Sequence, residues 1–368
     1  MRRLHQFVPT LDPGAVGSHL LAIQRVLRAA GWESEVFSEH TKAPYQQAAH
    51  LYTEYGKSIP AHDDDILVYH IAIGSSVADW LLTQRPRRLA VYSHNITPPS
   101  WFERWEPNLN YGLGWGLAQL GQLGRRSVLG IGVSEYNVAQ LRSYGFRHTA
   151  VVPILVDAAA IATPADPATV TALRGSGTRW LFVGRLAPNK CQQDIIKAFA
   201  LYRRVYDPAA CLWLVGGSSS DAYAAALASF AADAGVGDAV VFTGSVSPEE
   251  LTARYQAADL FVCLSEHEGF LVPLLEAWHH RLPVIAYAAA AVPETLGRGG
   301  VLLSDKTPGT VAAAAARVTS DPALNSALVA AGQKRLDDFS LARTSDRLLA
   351  LADELASGRY DRLSIAAR

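Results

Sequence analysis

Cysteine is scarce in this chain. Cys191, Cys211 and Cys263 are the only three in 368 residues. They show no paired metal-ligand spacing, and each sits in or beside an apolar run, so they read as reduced core thiols of a cytoplasmic protein. A surplus of charge is missing too: Lys+Arg is 33, Asp+Glu is 34, and the formal net charge is −1. Without extra cations to displace counterions, general nucleic-acid binding is excluded, although a local basic site for a small anion is not. No apolar run reaches the ~18 residues that a membrane span needs. The opening Met-Arg-Arg-Leu-His-Gln-Phe-Val-Pro lacks the apolar stretch of a signal peptide. The alanine-rich pieces at 222–232 and 312–316 are short and read as soluble helices. These absences argue against a secreted or integral membrane protein.

What is present describes a folded chain, with 49% apolar and 18% charged residues. Its length exceeds one ordinary core and suits two domains. Short apolar runs recur, each closed by a polar or small residue, with helical stretches between them. In the first half they are Leu4–Val8, Glu35–Phe37, Ile66–Ile71, Leu89–Tyr92, Val128–Val133 and Ala150–Ile154. In the second they are Trp180–Val183, Cys211–Val215, Val240–Thr243, Leu260–Leu264, Pro283–Tyr287 and Val301–Leu303. Continuous apolar strands alternating with helices predict parallel sheets covered on both faces. Two such series predict an α/β chain of two tandem Rossmann-like, doubly wound domains facing across a cleft. Pro164, Asp166, Pro167 and Gly175-Ser176-Gly177 place the join near Asp157 to Arg179. The domains are then 1–157 and 158–340, followed by an amphipathic helix that begins near Leu341.

Ligands of such folds sit where strands end and helices begin. In Val183-Gly184-Arg185-Leu186-Ala187-Pro188-Asn189-Lys190, the strand ends at Gly184 and two cations follow on the loop. Two cations beside a helix N-terminus suit a diphosphate, or are ordinary exposed charges. Asn189 with Gln192 three residues later predicts a capping box. In Ser265-Glu266-His267-Glu268-Gly269-Phe270-Leu271-Val272-Pro273-Leu274-Leu275-Glu276, Pro273 fits a first helical turn and Gly269 permits close backbone approach. Glu268 in the loop and Glu276 in the helix suit sugar or ribose hydroxyls, because a carboxylate accepts two hydrogen bonds. Complementing the helix dipole explains Glu276 alone but leaves Gly269 and Pro273 unaccounted for. His94, in Val91-Tyr92-Ser93-His94-Asn95, falls at a strand end in a polar loop. Gly14 and Gly17 form an early glycine loop before a helix from Ser18 to Ala30.

With these residues, the sequence resembles the family 4 retaining glycosyltransferases of GT-B architecture (glycosyl transferases group 1). The match runs in order through Val183-Gly184-Arg185 with Lys190, Val215-Gly216-Gly217, Phe242-Thr243-Gly244 with Glu249-Glu250-Leu251, Ala257–Val262, Glu268–Glu276 and Pro283–Ala286. The first domain resembles the family more loosely, through Gly14-Ala15-Val16-Gly17 and His94.

The resemblance implies a nucleotide-sugar donor domain in the second half, an acceptor domain in the first, and a helix over about 341–368 packing back onto the first. It assigns Arg185 and Lys190 to the donor diphosphate, Glu276 to the ribose and Glu268 to the sugar hydroxyls. Amides around Gly184, Gly269, Phe270 and Leu271 would contact donor, the loop around Gly244 to Ser247, with Val246, the base, and Gly14 and Gly17 the phosphates or acceptor. His94 would stand beside the transferred sugar. The family often has a small residue where Leu271 stands, so a leucine there would narrow the sugar pocket. The partners implied are a nucleotide-sugar donor, GDP-mannose or a UDP-hexose, and a saccharide or lipid-linked acceptor. No cofactor or metal is expected, because Arg185 and Lys190 neutralise the leaving group. A nucleotide-sugar epimerase on the same fold and a non-catalytic sugar-nucleotide binder are the rival readings.

Asp63-Asp64-Asp65 superficially fits the Asp-x-Asp metal motif of the other glycosyltransferase architecture. It precedes its strand at the end away from the expected site, and reads as a solvated turn. Arg85, Arg87, Arg88, Trp101, Phe102, Arg104, Trp105, Arg125 and Arg126 mix cations with aromatics. That mixture leaves peripheral contact with the inner face of the membrane open beside a plain core role.

Overall fold

A computed structural model describes residues 2–84, 86–156 and 163–360. Arg85, the expected join at Asp157 and the tail beyond 360 lie outside the described residues. The chain divides into two compact units. One comprises Met1–Ser100, Pro107–Asp157 and Phe339–Arg368, the other Trp101–Glu106 and Ala158–Asp338. The short 101–106 segment thus belongs with the second unit, away from its sequence neighbours.

The first unit holds a seven-stranded parallel sheet of β1 (Leu4–Leu11), β2 (Val36–Thr41), β3 (His50–Leu51), β4 (Ile66–Ile71), β5 (Arg88–Ser93), β6 (Leu129–Gly132) and β7 (Thr149–Val151). The order is β3-β2-β1-β4-β5-β6-β7. Its helices include α1 (Ala15–Ala29), α2 (Ser76–Gln84), α3 (Pro107–Gly124) and α4 (Glu135–Ser143). Strand β4 is buried at all six residues, as an apolar run covered on both faces must be. Only β3 had no forecast, because two exposed edge residues leave no hydrophobic pattern.

The second unit repeats the plan with β8 (Arg179–Val183), β9 (Cys211–Val215), β10 (Val240–Gly244), β11 (Leu260–Cys263), β12 (Val284–Tyr287) and β13 (Val301–Leu303), ordered β10-β9-β8-β11-β12-β13. Its helices are α5 (Pro167–Leu173), α6 (Gln192–Val205), α7 (Asp221–Asp233), α8 (Pro248–Ala257), α9 (Pro273–His279), α10 (Val292–Leu296), α11 (Pro308–Ser320) and α12 (Pro322–Leu336). The last helix, α13 (Leu341–Ser357), packs on α1 in the first unit and buries Leu348, Leu351 and Leu355. Among the described residues no helix is long and apolar enough to cross a membrane.

Strand order reverses between β1 and β4 in one sheet and between β8 and β11 in the other. At such a switch point the loops leaving two neighbouring strands turn to opposite faces and open a crevice at their carboxyl ends. This places the chemistry-bearing loops after β8 and β11.

The aspartate triplet needs a correction. Asp63 and Asp64 are solvated and pair loosely with Arg87 and Arg88 at 3.5 and 3.8 Å. Asp65 is buried instead, accepting from Arg3 at 2.5 Å, the Tyr55 hydroxyl at 2.8 Å and the His62 amide at 2.9 Å. Burial alone would raise its pKa, but these bonds outweigh that and hold it below the ordinary value. Asp65 anchors the start of β4. The aromatic cluster also splits: Phe102 is fully buried, and Trp105 stands edge-on to Tyr223 within the second unit.

Candidate functional site

Beyond β8 the chain turns at Gly184, whose φ of +153° suits glycine. The approach is close, since a Cβ on Gly216 would stand 2.2 Å from the Gly184 carbonyl oxygen. The loop passes Arg185 and enters a short 3-10 turn, Pro188–Lys190. The expected Asn189–Gln192 capping box does not form. Helix α6 starts from Cys191 in the left-handed region, at φ 54°, with no side-chain cap. The Asn189 amide donates to the His267 carbonyl at 3.1 Å, and Gln192 donates to the Arg185 carbonyl at 2.9 Å. The Glu266 amide donates to the Asn189 carbonyl at 3.0 Å. These groups stitch the β8 loop to the β11 loop, and that tertiary demand outcompetes a local cap.

The stitching brings Lys190 to Glu268, with the ammonium 2.7 and 2.6 Å from the two carboxylate oxygens. Glu268 is buried and Lys190 half-buried. Arg185 is exposed, 3.3 Å from the Ser219 hydroxyl and 5.6 Å from the Phe102 ring centroid. The two loop cations therefore differ: one is neutralised inside the loop pair, while the other is exposed and, among the described residues, meets no carboxylate.

Lys306, beyond β13, braces the same loops by reaching Asp194 at 2.8 Å and Glu266 at 2.6 Å. Burial disfavours its charge, but the two carboxylates more than offset that and raise its pKa. Cys191, Asp194 and Glu266 lie close enough together to hold a metal ion. The Lys306 ammonium already supplies the positive charge between the two carboxylates. Burial also pushes the Cys191 thiol up to about 11, so it stays protonated.

Glu268, Gly269, Phe270 and Leu271 are buried in the run before α9. Pro273 is the first residue of α9, and Leu271 has φ +72°, a costly conformation for a residue with a Cβ. Glu276, in the first turn of α9, accepts from the Tyr255 hydroxyl at 2.7 Å. Burial raises its pKa, and the Tyr255 bond only partly opposes this. Gly244 closes β10, and half-buried Val246 leads to a complete Ser247–Glu250 capping box on α8.

In the first unit, Gly14 is the N-cap of α1. Gly17 lies against the chain itself, because a Cβ there would sit 1.9 Å from the Asp12 carbonyl oxygen. His94 follows β5, with Nε2 2.8 Å from Nδ1 of His70. Burial lowers its pKa to about 3, so its ring is neutral at ordinary pH. Gly184, Arg185, Lys190, Gly244, Val246, Glu268–Leu271 and Glu276 thus gather at the carboxyl edge of the second sheet. Gly14, Gly17 and His94 lie at that edge of the first.

Four supporting residues escaped the sequence reading: His70, Tyr255, Lys306 and His19, whose Nδ1 accepts from the Leu155 amide at 2.9 Å. His70 carried a signal, being the one polar side chain within the apolar run Ile66–Ile71 apart from Tyr69. Lys306 and Tyr255 carried none, because their partners are distant in sequence.

Residues 177–321 match the family model described as glycosyl transferases group 1. A GDP-mannose-dependent alpha-(1-6)-phosphatidylinositol monomannoside mannosyltransferase of Mycobacterium tuberculosis is 34% identical over 183 residues, which is 46% of this chain and 46% of the relative. A D-inositol 3-phosphate glycosyltransferase of Acidothermus cellulolyticus is 31% identical over 220 residues, 57% of this chain and 49% of the relative. The matches span about half the length of these curated relatives. Among solved structures, sucrose-phosphate synthase from Thermosynechococcus elongatus superposes with a TM-score of 0.77 at 17% identity, covering 97% of this chain and 100% of that one. The Anabaena protein HepE in complex with UDP-glucose gives 0.75 at 17% identity, covering 96% and 99%. Two Rossmann-like parallel-sheet units in this arrangement of elements make the fold GT-B, and over residues 177–321 the chain is similar to the glycosyl transferases group 1 family.

Proposed function

We propose that this chain is a family 4 retaining glycosyltransferase that moves a hexosyl unit from a nucleoside-diphosphate sugar to an acceptor hydroxyl in glycan or glycolipid synthesis. The observation that carries the reading is the Lys190–Glu268 pair beside exposed Arg185, at the switch point of the second sheet. Departure of a diphosphate builds negative charge. A guanidinium open to solvent and an ammonium fixed by its carboxylate are prearranged to receive that charge without reorganising. Positive charge from these two side chains serves the role a metal would otherwise fill. As the phosphate draws on Lys190, Glu268 is freed to accept from sugar hydroxyls. Glu276, held by Tyr255, offers its other oxygen to a ribose.

The donor is GDP-mannose or a UDP-hexose. The mannosyltransferase relative is GDP-mannose-dependent by name, and the HepE structure holds UDP-glucose, so both nucleotides belong in the test. The acceptor is a saccharide or a lipid-linked saccharide, met in the cytoplasm or at the inner membrane face.

A thermal-shift panel of GDP, UDP and ADP tests the donor site, since a ligand of the native state raises Tm. One nucleoside diphosphate is expected to stabilise the chain, and its hexosyl conjugates to give a product whose anomeric configuration is that of the donor. If none of the three shifts Tm, the proposal fails. Donor converted to its epimer with no acceptor present reassigns the enzyme as an epimerase, and binding without turnover of any conjugate reassigns it as a binder.

A further inference from the structure

The first unit carries a buried polar cluster that the donor loops do not use. His70 Nδ1 and His94 Nε2 are 2.8 Å apart. Their ring centroids are 5.1 Å apart and their planes differ by 13°. That is the geometry of two imidazoles lying edge to edge and sharing one N–H···N bond. Tyr92 lies parallel beside both rings, while His19 stands across Tyr92 and His94 at 88° and 77°. One proton sits between His70 and His94, and the distance alone does not say which ring owns it.

The other ring nitrogens decide the matter. His70 Nε2 and His94 Nδ1 are both buried, and among the described residues neither meets a hydrogen-bonding group. His70 lines a small cavity beneath α13 together with Leu4, Gln6, Val68, Leu351 and Leu355. The cavity offers about 10 Å³ to the centre of a water molecule, close to what one water requires. Gln6, in the same lining, donates its Nε2 to the Leu20 carbonyl at 3.0 Å. That bond fixes the orientation of the amide and leaves Gln6 Oε1 buried without a donor. Gln6 and His70 each bring an unmet polar atom to a lining that is otherwise apolar but for Tyr92, whose hydroxyl already donates to the Val152 carbonyl. With room for one water, these are the conditions under which a water is retained.

We propose that one buried water joins Gln6 Oε1 to Nε2 of His70, and that His70 thereby holds His94 with its proton on Nε2 and a bare lone pair on Nδ1. In this arrangement His94 Nε2–H donates to His70 Nδ1, His70 Nε2–H donates to the water, and the water donates to Gln6 Oε1. Every buried N–H of the pair has an acceptor. With the shared proton on His70 Nδ1, His94 would bury an Nδ1–H with nothing to receive it, and orphaned buried donors are the rarer and costlier defect. His94 consequently offers an acceptor and no donor to a ligand. Resting on the glycosyltransferase reading, ligand entry uncovers that buried lone pair to a sugar hydroxyl, and His70 and Gln6 are positioning residues.

The tautomers can be read without any substrate. Long-range 1H–15N spectra of the full chain with 15N-labelled histidine, assigned through His70→Asn and His94→Asn, are expected to show protonated Nε2 and bare Nδ1 on both rings at neutral pH. A protonated Nδ1 on either ring, or a charged ring, overturns the inference while leaving the donor-site proposal intact. In turnover with the donor that proves active, His70→Leu is expected to lower kcat about tenfold or more with the donor KM unchanged. His70→Asn, whose Oδ1 accepts where Nδ1 did, restores most of that loss. Unchanged kcat in His70→Leu, or no rescue by asparagine, removes the positioning role.

Discussion

Lys190 meets both carboxylate oxygens of Glu268, at 2.7 and 2.6 Å, although 78 residues separate them in the chain. The pair ties the β8 loop to the β11 loop with a charge-assisted, two-pronged bond. It stores a carboxylate and an ammonium side by side at the crevice of the second sheet, where the phosphorylated donor proposed above would meet both.

That relationship predicts strong coupling. Lys190→Met leaves the Glu268 carboxylate buried and unpaired, and about 1–3 kcal/mol of stability is expected to be lost, reduced from the fully buried case because Lys190 retains some solvent contact. Glu268→Gln alone also destabilises. The double variant should lose less than the sum of the two, as urea unfolding of all four proteins will show. Additive losses would mean that the pair is not an energetic unit.

Arg185 should behave in the opposite way. Its side chain is exposed and leans only on Ser219 and the Phe102 ring, so Arg185→Ala is expected to change stability by under about 0.5 kcal/mol. Loss of a hydrogen bond to a charged phosphate is worth about 1.5–3 kcal/mol, or roughly ten- to hundred-fold in affinity. Calorimetric titration with the stabilising nucleoside diphosphate checks this, and undiminished affinity would remove Arg185 from the diphosphate site.

Glu276 carries a pH signature. Burial raises its pKa in the folded state, so above the unfolded value the native chain holds a proton that the unfolded chain has released. Stability from this group therefore falls as pH rises from the unfolded pKa to the raised folded one. Glu276→Gln removes the penalty. Its Tm relative to the parent is expected to be higher at pH 7 than at pH 4, and a Tm difference independent of pH would contradict the shift.

The histidine cluster has the reverse dependence. Burial lowers the pKa of His19, His70 and His94, the last to about 3. Between the unfolded value and these lowered ones, acid protonates the unfolded chain preferentially. The stability they confer is complete above the unfolded pKa and declines as pH falls below it, by up to about 1.4 kcal/mol per histidine per pH unit. Denaturant unfolding at pH 7 and pH 5.5 should show the parent losing more than His94→Asn does. Equal losses would place the acid sensitivity elsewhere.

Much of the second sheet was legible from local pattern. Cys211–Val215 and Val301–Leu303 coincide with strands β9 and β13, because an apolar run closed by small residues admits little but a buried parallel strand. Pro273 announced the start of α9 for an equally local reason. Asn189 misled because its amide had two uses, capping a helix or bridging to His267, and sequence shows only the first. Asp65 misled because adjacency to two solvated aspartates concealed Arg3 and Tyr55.

The order of apolar runs, glycines and loop charges determined the fold class, the two-sheet plan and the loops on which Arg185, Lys190, Glu268 and Glu276 stand, since strand period and turn chemistry act over a few residues. Only the tertiary structure decided which charges meet. Lys190 with Glu268, Lys306 between Asp194 and Glu266, and His70 with His94 each join strand ends that become neighbours through crossover connections. Pairings of that kind depend on sheet order and on what burial leaves unsatisfied, and no short stretch of sequence encodes either.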